Sequence, residues 1–161
     1  MAAAAATRTL VGNDGVHVEF SDSHVGQMAY ISHILEDDGA AGGAAGAANA
    51  FEVPTASSKI ILLLKGLLTL KDTAGVQFKQ EARTKTYRGI TTKVPPYAGT
   101  DDPWDTTAAA GTYYTYLTQI PAEDLCQLFI LADYLACDDA LHGIAYVLIQ
   151  HMLNYTADVR K

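Results

Sequence analysis

Residues 60–64 read IILLL, and within the longer run SKIILLLKGLLTL they make a helix-length segment whose apolar side chains fall on every side of a 3.6-residue period. Such a helix cannot lie on a surface with one face in water. It must be buried on more than one face or meet a partner, so the rest of the fold has to be arranged around it. Five consecutive aliphatic residues are far short of the roughly 20 that cross a bilayer, which predicts a core helix in a soluble protein rather than a membrane span. A chain of 161 residues is long enough to supply that cover from one domain of ordinary size without disulfides.

The segments that could supply it are legible on either side. RTLVGNDGVHVEF places two short alternating runs around Asn13-Asp14-Gly15, the residues of a tight hairpin. Ser21, Asp22 and Ser23 are candidate N-caps for one helix, or a short turn feeding a helix, carrying Val25, Met28, Ile31, Ile34 and Leu35. A glycine- and alanine-rich stretch at 39–50 has nothing to bury and reads as a flexible loop. A short strand FEV follows, then Pro54 and Thr55 as a helix start. Residues 72–118 carry glycines and prolines that preclude any long helix, and read as a partly disordered insertion with one hairpin, for which Val76, Phe78, Tyr87, Ile90 and Val94 could supply strands. The most regular part is 119–161. There Pro121 in a first turn, with Glu123 and Asp124 behind it, starts a helix striped by Leu125, Leu128, Phe129, Ala132 and Leu135. After a break near Cys137-Asp138-Asp139 a second helix carries Leu141, Ile144, Ala145, Leu148 and Met152 on one face, with Ala140, Val147 and His151 on an adjoining one. One face must pack on the preceding helix, leaving the other free. The expected architecture is an α+β domain: a disordered tail at 1–6, an N-terminal part at 7–71, the insertion at 72–118 and a C-terminal helical part at 119–161.

No residue cluster nominates a catalytic centre. His24 and His33 are nine apart, as are His142 and His151, which puts each pair on opposite helix faces and makes them surface or edge-of-core histidines rather than metal ligands. Cys126 and Cys137 read as buried, reduced structural thiols, as in a cytosolic or nuclear protein. Ser21 to His24, SDSH, gathers the residue types of a hydrolase triad, but triad partners meet in space rather than in sequence, and capping explains the stretch better. GxGxxG, P-loop and GxSxG motifs are absent. The net charge of −7 has the wrong sign for gripping phosphate backbones over the whole surface. Charge is uneven, however: residues 71–93 hold six basic side chains against Asp72 and Glu81, a local +4 that fits either a solvated loop or an arm for an acidic partner or nucleic acid.

Several stretches, in order, resemble one family. LVGNDGVHVEF looks like an S-x-D-G hairpin, ISHILEDDG is similar to I-K-x-M-L-E-D, and EVPTASSKIILLLKGLL resembles a v-P-L-P-N-V strand followed by a helix. PWD at 103–105 looks like V-W-D, LFILADYLACDDAL is similar to L-F-E-L-I-L-A-A-N-Y-L-D-I-K-G-L-L, and TADVRK resembles T-P-E-E-I-R-K. These are patterns of the S-phase kinase-associated protein (SKP) family, adaptors of SCF ubiquitin ligases in the BTB/POZ superfamily, with elongin C as a near relative.

The resemblance implies a BTB/POZ-like fold with a small sheet, packed helices and a C-terminal helical hairpin. It implies a non-enzymatic adaptor, without cofactor, that links a cullin to an F-box or related substrate receptor in the cytoplasm or nucleus, with neither membrane nor nucleic acid as a partner. Asp133 and Tyr134, matching the family's N-Y, would bind the cullin. Tyr146, Val147 and His151, matching its receptor-facing helix, would bind the receptor. The family continues into further helices that clasp the F-box, so weaker receptor binding is expected of a chain ending at Lys161. The alternative is a BTB-type self-association module, a homodimer built on the apolar helix of residues 60–70, or a decoy that binds one ligase component only.

Overall fold

Strands β1 (Arg8–Gly12) and β2 (His17–Phe20) pair antiparallel with Leu10 opposite Val18. The turn between them places Gly15 at φ 73°, a left-handed angle that favours glycine. β3 (Ala50–Val53) adds to the other edge of β1, parallel to it, giving the order β2-β1-β3. The computed structural model describes residues 8–40, 50–76, 83–87, 90–94 and 108–159. The tail expected at 1–6, positions 41–49 of the expected loop, Phe78 and the PWD motif lie outside the described residues.

Between β2 and β3 run α1 (Asp22–Val25) and α2 (Ala29–Ala40). Ser21 caps α1, its side chain accepting the His24 amide, so the SDSH stretch does serve as a helix start. α3 (Ser58–Ala74) is the apolar helix, and it packs against β1, β2, α1 and three later helices. Ile60, Ile61, Leu64, Leu67 and Leu68 are all buried, so the expectation of burial on several sides holds, with Leu62 left outward. Leu63 and Leu70 on the same helix are partly buried. The helix begins three residues later than Thr55: residues 54–56 turn back, with the Ala56 amide donating to Val53 O, and the Asp14 carboxylate receives both the Ser58 amide (2.9 Å) and its hydroxyl (2.7 Å).

Within the stretch taken as an insertion, most of the described residues lie in regular elements. α3 runs on through the first three residues of the stretch to Ala74, and β4 (Arg83–Tyr87) and β5 (Ile90–Val94) pair as a hairpin, as expected there. Val76 is buried outside any strand. An 11-residue helix, α4 (Ala108–Thr118), occupies the end of the stretch, contrary to the punctuation argument. Gly111 stands within it in open space, and Tyr113 and Leu117 are buried beneath it. Lys71, counted with the basic segment, belongs to α3 and pairs with Asp139.

α5 (Ala122–Tyr134) and α6 (Asp138–Val159) form the helical hairpin. Pro121 is the N-cap of α5 rather than part of its first turn. Leu125, Leu128, Leu131, Ala132 and Leu135 are buried, with Phe129 at the edge of the core. The resulting α+β core joins the sheet residues Leu10, Val18 and Phe20 to α3, α5 and α6.

Candidate functional site

The site is a surface at the end of α5. That helix buries one face on α3 and α6, which leaves Ile130 and Tyr134, one turn apart, on the outside with Asp133. Its first turn is anchored by a nearly buried Asp124 that pairs with Lys59 of α3 at 2.6 Å. Its last turn closes with Ala136 at φ 53°, the Cys137 amide donating to Ala132 O and the Ala136 amide to Asp133 O.

α2 meets that closure end-on. The Ala29 amide donates to Ala136 O (3.4 Å) and the Tyr30 amide to Leu135 O (3.3 Å), so free amides of one helix satisfy free carbonyls at the end of the other. The Tyr30 ring is thereby brought beside the Tyr134 ring, centroids 5.5 Å apart and planes at 50°. Burial raises the Tyr134 phenol pKa, and the neighbouring Tyr30 adds to the rise. Ile130 (56% exposed), Tyr30 (45%) and Tyr134 (39%) thus form an uncovered apolar and aromatic patch, with Asp133 also exposed in the same turn of α5. Sequence reasoning selected Asp133 and Tyr134 and missed Tyr30 and Ile130. Tyr30 is invisible locally because its neighbour is over a hundred residues away, whereas Ile130 could have been found as the apolar residue that falls off the buried stripe of α5.

The other selected residues part company. Val147 is 1% exposed and belongs to the core, with Ala140 and Ile144, so it is not on a free face: this corrects the choice of which α6 stripe packs inward. Tyr146 is half-buried with its ring 6.1 Å from that of Tyr114, and His151 is exposed. Met152, placed on the packing stripe by sequence, is 69% exposed, and with Leu153 and Tyr155 it makes the far end of α6 an apolar surface.

A second polar group lies where α1 meets the end of α3. Asp72 accepts from Ser23 and from Gln27 Nε2 (2.7 Å), and Thr69 Oγ1 is 3.1 Å from His24 Nε2. The serines here act as cap and tether: Ser21 Oγ accepts the His24 backbone amide and the Ser23 hydroxyl donates to Asp72, while the hydroxyl on the His24 ring is that of Thr69. A cavity of about 330 Å³ opens nearby, lined by Gln27, Lys71, Ala136, Cys137 and Asp139 among others. Burial pushes the Cys137 thiol up to about 12, so it stays protonated and is no nucleophile at neutral pH. Cys126, in contrast to its expected burial, is exposed. Among the described residues no three His, Cys, Asp or Glu side chains converge as a metal site would need, and no helix is long and apolar enough to cross a membrane.

No protein-family model matches the chain, and no curated protein matches it. The functional reading therefore stands on the residues and on their arrangement.

Proposed function

We propose that this chain is a non-enzymatic adaptor that links a cullin scaffold to an F-box or related substrate receptor in a ubiquitin ligase. The reading starts from the resemblance to the SKP family and the BTB/POZ superfamily. It is supported by an element order of hairpin, helices, third strand, buried helix and helical hairpin. The observation that carries it is the uncovered patch at the end of α5, where Asp133 and Tyr134, the residues that the resemblance assigns to the cullin, are both exposed and are flanked by Ile130 and Tyr30. Exposed aromatic side chains held in place commonly dominate protein interfaces. On the receptor side, His151 is exposed, next to Met152, Leu153 and Tyr155, and Tyr146 is half-buried.

Affinity capture with cullin amino-terminal fragments tests the proposal. Tyr134→Ala should weaken cullin binding by about 2 kcal/mol or more, the ordinary weight of an interface aromatic. Capture that is unchanged by this substitution, or no capture by the intact chain, overturns the assignment.

The apolar end of α6 favours a second reading, self-association, at a different place from the α3 stripe that first suggested it. Light scattering separates the two: a monomer that captures a cullin supports the adaptor, and a stable dimer without cullin affinity supports the self-association module.

A further inference from the structure

Resting on the adaptor reading, we infer that Tyr30 and Tyr134 act as one aromatic seat for a lysine or arginine side chain of the scaffold, and that Tyr30 is the residue that selects the scaffold segment. Two exposed rings 5.5 Å apart and tilted by 50° offer adjacent π faces to a cation. Ile130, one turn before Tyr134 on α5, adds an aliphatic wall, and Asp133 is an exposed carboxylate on the same last turn of that helix. An ammonium or guanidinium over a ring within about 6 Å is attracted by the ring's negative face, and its aliphatic stem packs well on such a wall.

Charge argues for a basic rather than an acidic or neutral partner. Neither α2 nor α5 contains a Lys or Arg; indeed the chain has none from residue 9 to residue 58, nor from 119 to 159. The cations of neighbouring α3 are engaged elsewhere: Lys59 with Asp124, Lys71 with Asp139, and Lys65 over the Phe20 ring at 5.8 Å. The two helices that carry the seat therefore bring aromatic rings and acidic residues, Asp133 among them, but no lysine or arginine. The seat is also prepared in advance, because the backbone bonds from Ala29 and Tyr30 to the end of α5 fix the two ring-bearing segments relative to each other, and little ordering remains to oppose binding.

Titration calorimetry of the full chain with a cullin amino-terminal fragment, at low and at moderate salt, tests this. Tyr30→Ala should lower affinity about tenfold or more, whereas Tyr30→Phe, which keeps the ring face, should stay within about threefold of the unsubstituted chain. Tyr30→Lys, which puts a like charge in the seat, should abolish binding while the melting temperature holds. The Tyr30→Ala/Tyr134→Ala pair should lose less than the product of the single losses, since the two rings share one ligand. Affinity of the unsubstituted chain should fall with salt. If Tyr134→Ala weakens binding but Tyr30→Ala and Tyr30→Lys bind like the unsubstituted chain, the inference is wrong and the adaptor reading survives. If the unsubstituted chain binds no cullin fragment, the adaptor reading fails and this inference fails with it.

Discussion

One hydroxyl decides the tautomer of His24. Thr69 Oγ1 has a single proton, which it donates to Lys65 O at 2.8 Å, so towards His24 Nε2 at 3.1 Å it can only accept. The imidazole therefore carries its proton on Nε2, and Nδ1 is left as a bare buried acceptor with no partner among the described residues. Burial holds the His24 pKa below 6.5 against the pull of Asp72, with Lys65 pushing the same way as burial. His142 is lowered too, by burial against Asp139 and Asp138. With folded values below the unfolded one, the unfolded chain takes up protons first as pH falls. Stability is thus complete above about pH 6.5, declines below it, and levels off once the folded histidines titrate. Melting temperatures measured from pH 7.5 to 5 should show that decline, and His24→Gln should flatten it; an equally steep decline in the variant would refute the argument. Ala136 carries a second residue-scale cost, since its φ of 53° is one that a side chain opposes. Ala136→Gly should stabilise the chain by about 1 kcal/mol in urea unfolding. The break in the helical pattern near 137–139 was legible, but the left-handed residue was not, because the usual signal there is a glycine.

Gly66 looks, by helix propensity alone, like a defect of about 1 kcal/mol in the middle of α3. Packing reverses that judgement. A Cβ at this position would lie 2.2 Å from the Tyr116 hydroxyl and 2.8 Å from its ring carbon Cζ, and that hydroxyl donates to Leu63 O at 3.2 Å. Gly66 is the gap through which α4 docks on α3. Gly66→Ala should destabilise by about 1–3 kcal/mol, whereas the same change in a Tyr116→Ala background should be neutral or stabilising; chemical denaturation of the four chains checks both. α4 itself escaped sequence reasoning because the prolines and glycines before it dominated the reading, although Tyr113, Tyr116 and Leu117 already carry three- and four-residue steps. The start of α3 was misplaced for a related reason. Its cap comes from Asp14, in a turn more than forty residues earlier, and Gly12 makes room for that carboxylate, since a Cβ there would meet Asp14 Oδ1 at 2.6 Å. Local propensity holds no information about a cap supplied from another element.

For the molecule as a whole, the α+β class, the hairpin, the buried helix and the helical pair were all written in periodicity, while the rotation of α6 was not. Residues 140–157 contain no charged side chain, so two adjoining stripes were equally apolar, and only the shape of the surface offered by α5 and its neighbours chose between them. That choice changes how a substitution must be read. Val147→Asp puts a carboxylate into the core and should cost about 3 kcal/mol or more, so any lost binding in that variant reports unfolding rather than a contact. Met152→Asp should instead leave the melt unchanged, to within about 0.5 kcal/mol, and thereby isolates the surface. The junction of α2 with α5 has a consequence for time as well as for shape. Its two amide bonds join positions over a hundred residues apart, whereas the β1–β2 and α5–α6 hairpins close over short loops. Distant closures form late, after local ones have been made. Tyr30 and Tyr134 are then neighbours only in a finished molecule, and on the proposed reading a partner that grips both at once would take up completed chains and pass over half-folded ones.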